Sequence, residues 1–184
     1  MIFNMKFYTI QHINAWEDAK KRGYLQGDKN FAIGDFKKSY SWMMKQMRKR
    51  LVKYNGEYPV WVWTKKPDGE DVKEGYLSKG AKGILLEIEL DRKDVLLSDF
   101  QAWHIVLMNA FFSLSEKEDN LYEEGKINIT KEESWERIFD LHLLSKQGDW
   151  CKISDLQGVT GRININKIKV LYEFVATGYQ MEDD

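Results

Sequence analysis

The side chains in this sequence with the most chemical potential are aromatic. Tyr40-Ser41-Trp42-Met43 stands in an amphipathic segment and Pro59-Val60-Trp61-Val62-Trp63 in an extended one. Along a strand, period two puts Trp61 and Trp63 on one face and Val60, Val62 and Thr64 on the other. Two neighbouring indoles on a sheet face serve either as core or as a stacking surface for a flat ring, such as a nicotinamide or a base. A second cluster, Leu97-Ser98-Asp99-Phe100 with Trp103, His104 and Asn109, mixes polar and aromatic groups where a helix begins. Ser98 and Asp99 either cap that helix or sit beside amides that receive an anionic ligand group, which the Asp99 charge itself would oppose.

Other chemistries have little to work with. His12, His104 and His142 are the three histidines, with no HExxH motif and no cysteine pair, so no metal site is expected. His142, in the apolar Ile138–Leu144 run, reads as a hydrogen-bonded core histidine. Cys151, between Trp150 and Lys152, reads as a buried, inert strand residue. No GxSxG, Walker or GxGxxG motif is present, and the glycines from Gly75 to Gly83 are spaced like a flexible loop.

Composition sets the scale. The 184 residues suit a single globular domain, 1–184. Lys plus Arg number 28 against 29 Asp plus Glu, a net charge of −1, so no global field draws the chain to nucleic acid or an anionic membrane. With 43% hydrophobic residues the chain can build a core, and one cysteine excludes an internal disulfide framework. No run reaches the ~20 apolar residues of a membrane helix. Met1 to Ile10 lacks the apolar centre of a secretory signal, so the expected setting is the reducing cytoplasm, with no membrane partner.

The elements that must position these residues can be read in turn. Lys6 to Ile10 is a first strand. Asn14, with Glu17 three residues on, is expected to cap a short helix that stops at Gly23. Asp35 to Tyr54 is the clearest helix: Phe36, Tyr40, Met43, Met47, Leu51 and Tyr54 draw one apolar stripe. Lys45, Arg48, Lys49, Arg50 and Lys53 crowd its C-terminal half. Val60–Thr64 and Gly83–Leu90 are strands; in the latter Leu86, Ile88 and Leu90 share a face and Glu87 and Glu89 the other. Ser98 with Gln101 is expected to cap a helix through Ala110, and Thr130 with Glu133 another before Trp135, Ile138 and Phe139. Lys65–Gly83 and Ser113–Glu133 read as polar loops. The tail, Trp150–Thr177, reads as two or three strands, with Asn166–Ala176 open between helix and strand. The class is α+β, with a mixed or antiparallel sheet and several packed helices.

Tyr8-Thr9-Ile10-Gln11, Trp16, Gly23-Tyr24-Leu25 and Tyr40-x-Trp42-Met43-x-x-Gln46-Met47 form a recognisable series. Pro59-x-Trp61-x-Trp63, Leu97-Ser98-Asp99-Phe100-x-x-Trp103-His104 and Ser134-Trp135-x-x-Ile138-Phe139 continue it. Together they resemble the bacterial domain-of-unknown-function 3841 family, from about Lys6 to Phe174. A weaker, fold-level resemblance is to ADP-ribosyltransferase-like proteins, a group that includes toxins and host-conflict effectors. It implies NAD as substrate, with Thr9, Gln11 or His12 holding a ribose and Tyr40, Trp61 or Trp63 sandwiching the nicotinamide. It also implies a late carboxylate or amide that assists transfer, with Gln157, Glu173 and Glu89 as candidates. The full expected site is Gln11 and Gln157 as catalytic groups with Thr9, His12, Tyr40, Trp42, Trp61, Trp63, Asp99 and His104 around the ligand. Gln11, Tyr40 or Trp42, and at least one of Trp61 and Trp63 are then expected to share one cleft. The competing reading is a non-catalytic module that binds a nucleotide, a nucleic acid or a protein.

Overall fold

A computed structural model describes residues 4–31, 34, 36–148, 150, 151, 153 and 155–178. Its strands are β1 (Asn4–His12), β2 (Tyr24–Leu25), β3 (Val60–Trp63), β4 (Lys82–Asp91), β5 (Leu96–Asp99), β6 (Leu156–Thr160), β7 (Ile163–Asn164) and β8 (Ile168–Val175). Its helices are α1 (Ile13–Arg22), α2 (Phe36–Arg50), α3 (Gly69–Glu74), α4 (Phe100–Leu107), α5 (Glu116–Glu123), α6 (Lys131–Trp135) and α7 (Leu141–Ser145). Six strands form one sheet in the order β5-β6-β3-β1-β4-β8, antiparallel at every pairing, and β2 pairs with β7 in a small second sheet. This is an α+β fold.

The two faces of the large sheet are covered differently. One carries Phe7, Val60, Val62, Ile84, Leu86 and Ile88, closed by Trp16 and Ala19 of α1 and by Leu25 and Ile163 of the small sheet. On the other, Trp61, Leu96 and Val159 lie under Met43 and Met47 of α2 and Trp103 and Val106 of α4. Further along that face Tyr8, Ile10, Leu85 and Phe174 pack with Val72 of α3. Gly158 separates β5 from β3 closely; a Cβ there would meet Val95 Cγ1 at 2.5 Å, which only glycine avoids.

Several expected boundaries move, each for a local reason. α1 is capped by His12, whose Nδ1 accepts from the Asn14 amide at 3.2 Å, so Asn14 is inside the helix. Its stop is Gly23 as expected, at φ 81°. α2 ends at Arg50 and not at Tyr54, and Asp35 lies outside the described residues. The buried face of α2 is Ser39, Trp42, Met43, Gln46 and Met47, with Ser39 Oγ donating to the Val106 carbonyl at 2.8 Å. Phe36, the first residue of the helix, is 45% exposed. Both polar stretches hold helices: α3 in the first, seated by the fully buried Val72, and α5 in the second. Thr130 and Glu133 form the reciprocal capping box that their spacing predicts. Asn166–Ala176 resolves toward strand, as β8. Cys151 sits in a turn, not a strand, and His142 is exposed on α7, not in the core.

The start of α4 reverses another expectation. Asp99 is the N-cap, its Oδ1 accepting from the Ala102 amide at 2.9 Å. Ser98, the preceding strand residue, is 1% exposed, and its hydroxyl has no hydrogen-bond partner among the described residues. Asp99→Ala is therefore expected to lower stability by about 0.5–2 kcal/mol. Ser98→Ala removes a buried, unsatisfied hydroxyl and should leave the melting temperature unchanged or raise it. Thermal denaturation of both variants checks the assignment; a larger loss in Ser98→Ala would contradict it.

Candidate functional site

The strand register decides which of the candidate residues can meet. Tyr8 pairs with Trp63, so Tyr8 and both indoles of β3 face the side covered by α2 and α4. Thr9 and Gln11, of opposite parity, face the α1 side. There Thr9 Oγ1 donates to the Trp61 carbonyl at 2.8 Å and accepts from Gln11 Nε2 at 2.9 Å. His12 is occupied as a helix cap. The expected cleft joining Gln11 to Trp61 or Trp63 is thus not formed: the sheet itself stands between them.

Gln157 does lie on the indole side. It pairs with Trp63 across β3–β6 and with Ser98 across β5–β6, giving a row Ser98–Gln157–Trp63–Tyr8 across four strands. Gln157 is 4% exposed, and its Nε2 has no hydrogen-bond partner among the described residues. It is buried behind Trp63 and not presented to solvent.

The candidate aromatic residues Tyr40, Trp42, Trp61 and Trp63 separate into three groups. Tyr40 meets Trp61 at 6.2 Å and Trp103 at 5.9 Å, both edge-to-face, and Trp61 meets Trp103 at 5.0 Å. Burial pushes the Tyr40 phenol above its ordinary value, opposed by the Trp61 indole N–H beside it. These rings are core. Trp42 points elsewhere, stacked on Phe139 at 5.7 Å and edge-on to Trp135 at 5.4 Å. Trp63 belongs to the third group. It meets Phe100 at 5.1 Å and Tyr76 at 6.1 Å, the latter nearly perpendicular at 83°. His104 backs Phe100 edge-on at 4.4 Å, and its Nδ1 is 2.9 Å from the Phe100 carbonyl.

Of the three, the Trp63 group brings its rings together on the wall of a cavity. Trp63, Tyr76 and Phe100 line a cavity of about 500 Å³, together with Asp71, Glu74 and Asp155. A neighbouring cavity of about 470 Å³ is lined by Asp99, His104, Met108, Phe112, Trp150 and Cys151. In it Cys151 Sγ contacts the Ser113 carbonyl at 3.5 Å, and burial pushes the thiol above its ordinary value. Among the described residues no group of three His, Cys, Asp or Glu side chains is placed to hold a metal ion.

Sequence reasoning singled out Trp63, and placed Phe100 in a separate polar-aromatic cluster, but missed Tyr76, Asp71, Glu74 and Asp155. An aromatic residue in an otherwise polar, glycine-rich stretch was the available signal for Tyr76. The basic residues on and just after α2 are only partly paired, Lys49 and Arg50 sharing a single carboxylate. Lys49 and Arg50 pair with Glu136 at 3.2 and 3.1 Å, Lys53 pairs with Asp94 at 2.8 Å, and Lys38 with Glu132 at 2.6 Å. No described helix is long and apolar enough to cross a membrane.

No curated protein and no solved structure is significantly similar to this chain. A family model does match, over residues 6–132, which stops short of Ser134–Phe139 and of the span to Phe174 that the motifs suggest. The chain belongs to the family described as Domain of unknown function (DUF3841).

Proposed function

We propose that this protein is a non-catalytic binding module whose recognition site is the Trp63–Tyr76–Phe100 pocket. The observation that carries this reading is the convergence of three rings, from a strand, a loop and a helix, on one solvent-open cavity. Cleavage of the nicotinamide bond of NAD calls for ribose hydrogen bonds, ring stacking and an assisting group around one ligand. Here Gln11 and Thr9 bond each other on one side of the sheet, while Gln157 and the indoles lie on the other. The site is therefore read as holding a ligand and not as transforming one. A single cysteine, which can form no internal disulfide, fits the reducing cytoplasm.

The test is tryptophan fluorescence of the full chain titrated with three kinds of probe: a neutral ring (nicotinamide), an anionic nucleotide (ADP-ribose) and an organic cation (choline). At least one should bind saturably, and Trp63→Ala should weaken it by roughly 5- to 150-fold if ring contact contributes ~1–3 kcal/mol. Nicotinamide release from NAD should stay at background. If no probe binds in a Trp63-dependent way, or if NAD turns over and Gln157→Ala abolishes it, the reading is wrong.

A further inference from the structure

We infer that the Trp63–Tyr76–Phe100 pocket is selective for an organic cation, an alkylated ammonium head group in particular. This rests on the reading of the pocket as a binding site and adds the charge of what enters it. Trp63 and Tyr76 meet edge-to-face at 83°, Phe100 lies against Trp63 at a tilt of 49°, and all three line the cavity. Ring faces carry negative quadrupole charge, and a cavity lined by three rings attracts a weakly hydrated cation more than a neutral group of equal size.

The charged lining points the same way. Asp68, Asp71, Glu74 and Asp155 face two cations, Lys65 and Lys66. Of these, Asp68 caps α3 by accepting from the Glu70 amide at 3.0 Å, and Lys66 leans over the Tyr172 ring, 6.0 Å from its centroid. Among the described residues no ion pair engages Asp71, Glu74 or Asp155. Four carboxylates against two lysines leave the lining of this cavity net negative, which raises the local concentration of cations and opposes anions, a nucleotide phosphate included. A simple ammonium would keep its water shell; alkylation reduces hydration and adds apolar surface for the rings to cover.

The decisive comparison uses choline, its uncharged isostere 3,3-dimethylbutan-1-ol, and benzoate, titrated into the full chain at low salt. Choline should bind about tenfold more tightly than the isostere, from a cation–ring contribution of the usual size. Benzoate should not bind. Tyr76→Leu and Trp63→Leu should each weaken choline several-fold. The triple variant Asp71→Asn, Glu74→Gln, Asp155→Asn alters only exposed side chains and should weaken choline while flattening its salt dependence. Circular dichroism confirms that each variant is folded, and Tyr76→Leu, at a partly exposed position, serves if Trp63→Leu is not. Equal or tighter Trp63-dependent binding of the neutral isostere or of benzoate would overturn the cation inference and leave the ring pocket standing. A triple variant with unchanged choline affinity would do the same. If no probe, nicotinamide and ADP-ribose included, binds through Trp63, both readings fall.

Discussion

Replacing Trp135 by alanine is expected to destabilise the protein by about 3–5 kcal/mol, the range for truncating a fully buried large aromatic. Trp135 ends α6 and has no exposed surface. Its ring receives the edge of Trp42 at 5.4 Å, and its indole N–H donates to the Ala110 carbonyl at 2.6 Å. Lys38 and Lys131 place their ammonium groups 5.6 and 5.9 Å from the ring centroid. Truncation thus opens a cavity beneath α2 and orphans a carbonyl at the end of the α4 segment. For a chain of this length the loss corresponds to a fall of roughly 6–20 °C in melting temperature. Trp135→Phe separates the two components. It keeps most of the packing but leaves the Ala110 carbonyl unpaired, which alone should cost about 1–3 kcal/mol. Calorimetry of both variants is the check. A Trp135→Ala protein that melts within a degree or two of the parent would mean that this layer is not the core described.

What the sequence made legible follows from the range of the physics involved. Local periodicity located α2, β3 and β4 and assigned the alternating faces of Val60–Trp63 and Leu86–Leu90, because those patterns depend on neighbours a few positions away. The side of the sheet on which each strand's pattern falls is a different matter. Gln11 was within reach of Trp63 in every local sense, yet the pairing of Tyr8 with Trp63 puts Gln11 on the opposite face. A register one residue different would have put them together, and nothing within either strand specifies it. The expected Ser98 cap failed for a related reason. Ser98 and Asp99 are both good caps at adjacent positions, and β5 continues through Ser98 to Asp99 because its partner β6 runs on to Leu156. The strand pairing chose between them. The candidate pocket was half visible: Trp63 declared itself, whereas Tyr76 and Asp71 belong to a stretch whose helix, α3, is six residues long and is held by the burial of Val72. So short a helix has little intrinsic stability, and its tertiary seat is what forms it.

That distinction between a pattern and a packed surface sharpens the last expected result. Met47→Ala should cost about 2–5 kcal/mol, while Phe36→Ala, on the same heptad-like stripe of the same helix, should cost well under about 1 kcal/mol. From spacing alone the two residues are equivalent members of one apolar line. In the fold Met47 has no exposed surface and belongs to the layer that joins α2 to Trp103 and Val106 of α4 and to Leu96 and Val159 of the sheet. Phe36 is 45% exposed at the first turn. Truncating Met47 leaves a void between two layers that cannot close without moving α2, which Ser39 ties to the Val106 carbonyl, so the cavity penalty adds to the lost transfer energy. Truncating Phe36 exchanges one solvated apolar surface for a smaller one and adds helix propensity through alanine. Urea denaturation of the two variants, with equal slopes, gives both numbers directly. Equal losses at the two positions would mean that α2 buries the whole of its sequence stripe and would move the helix off the seat that fixes Trp61 beneath it.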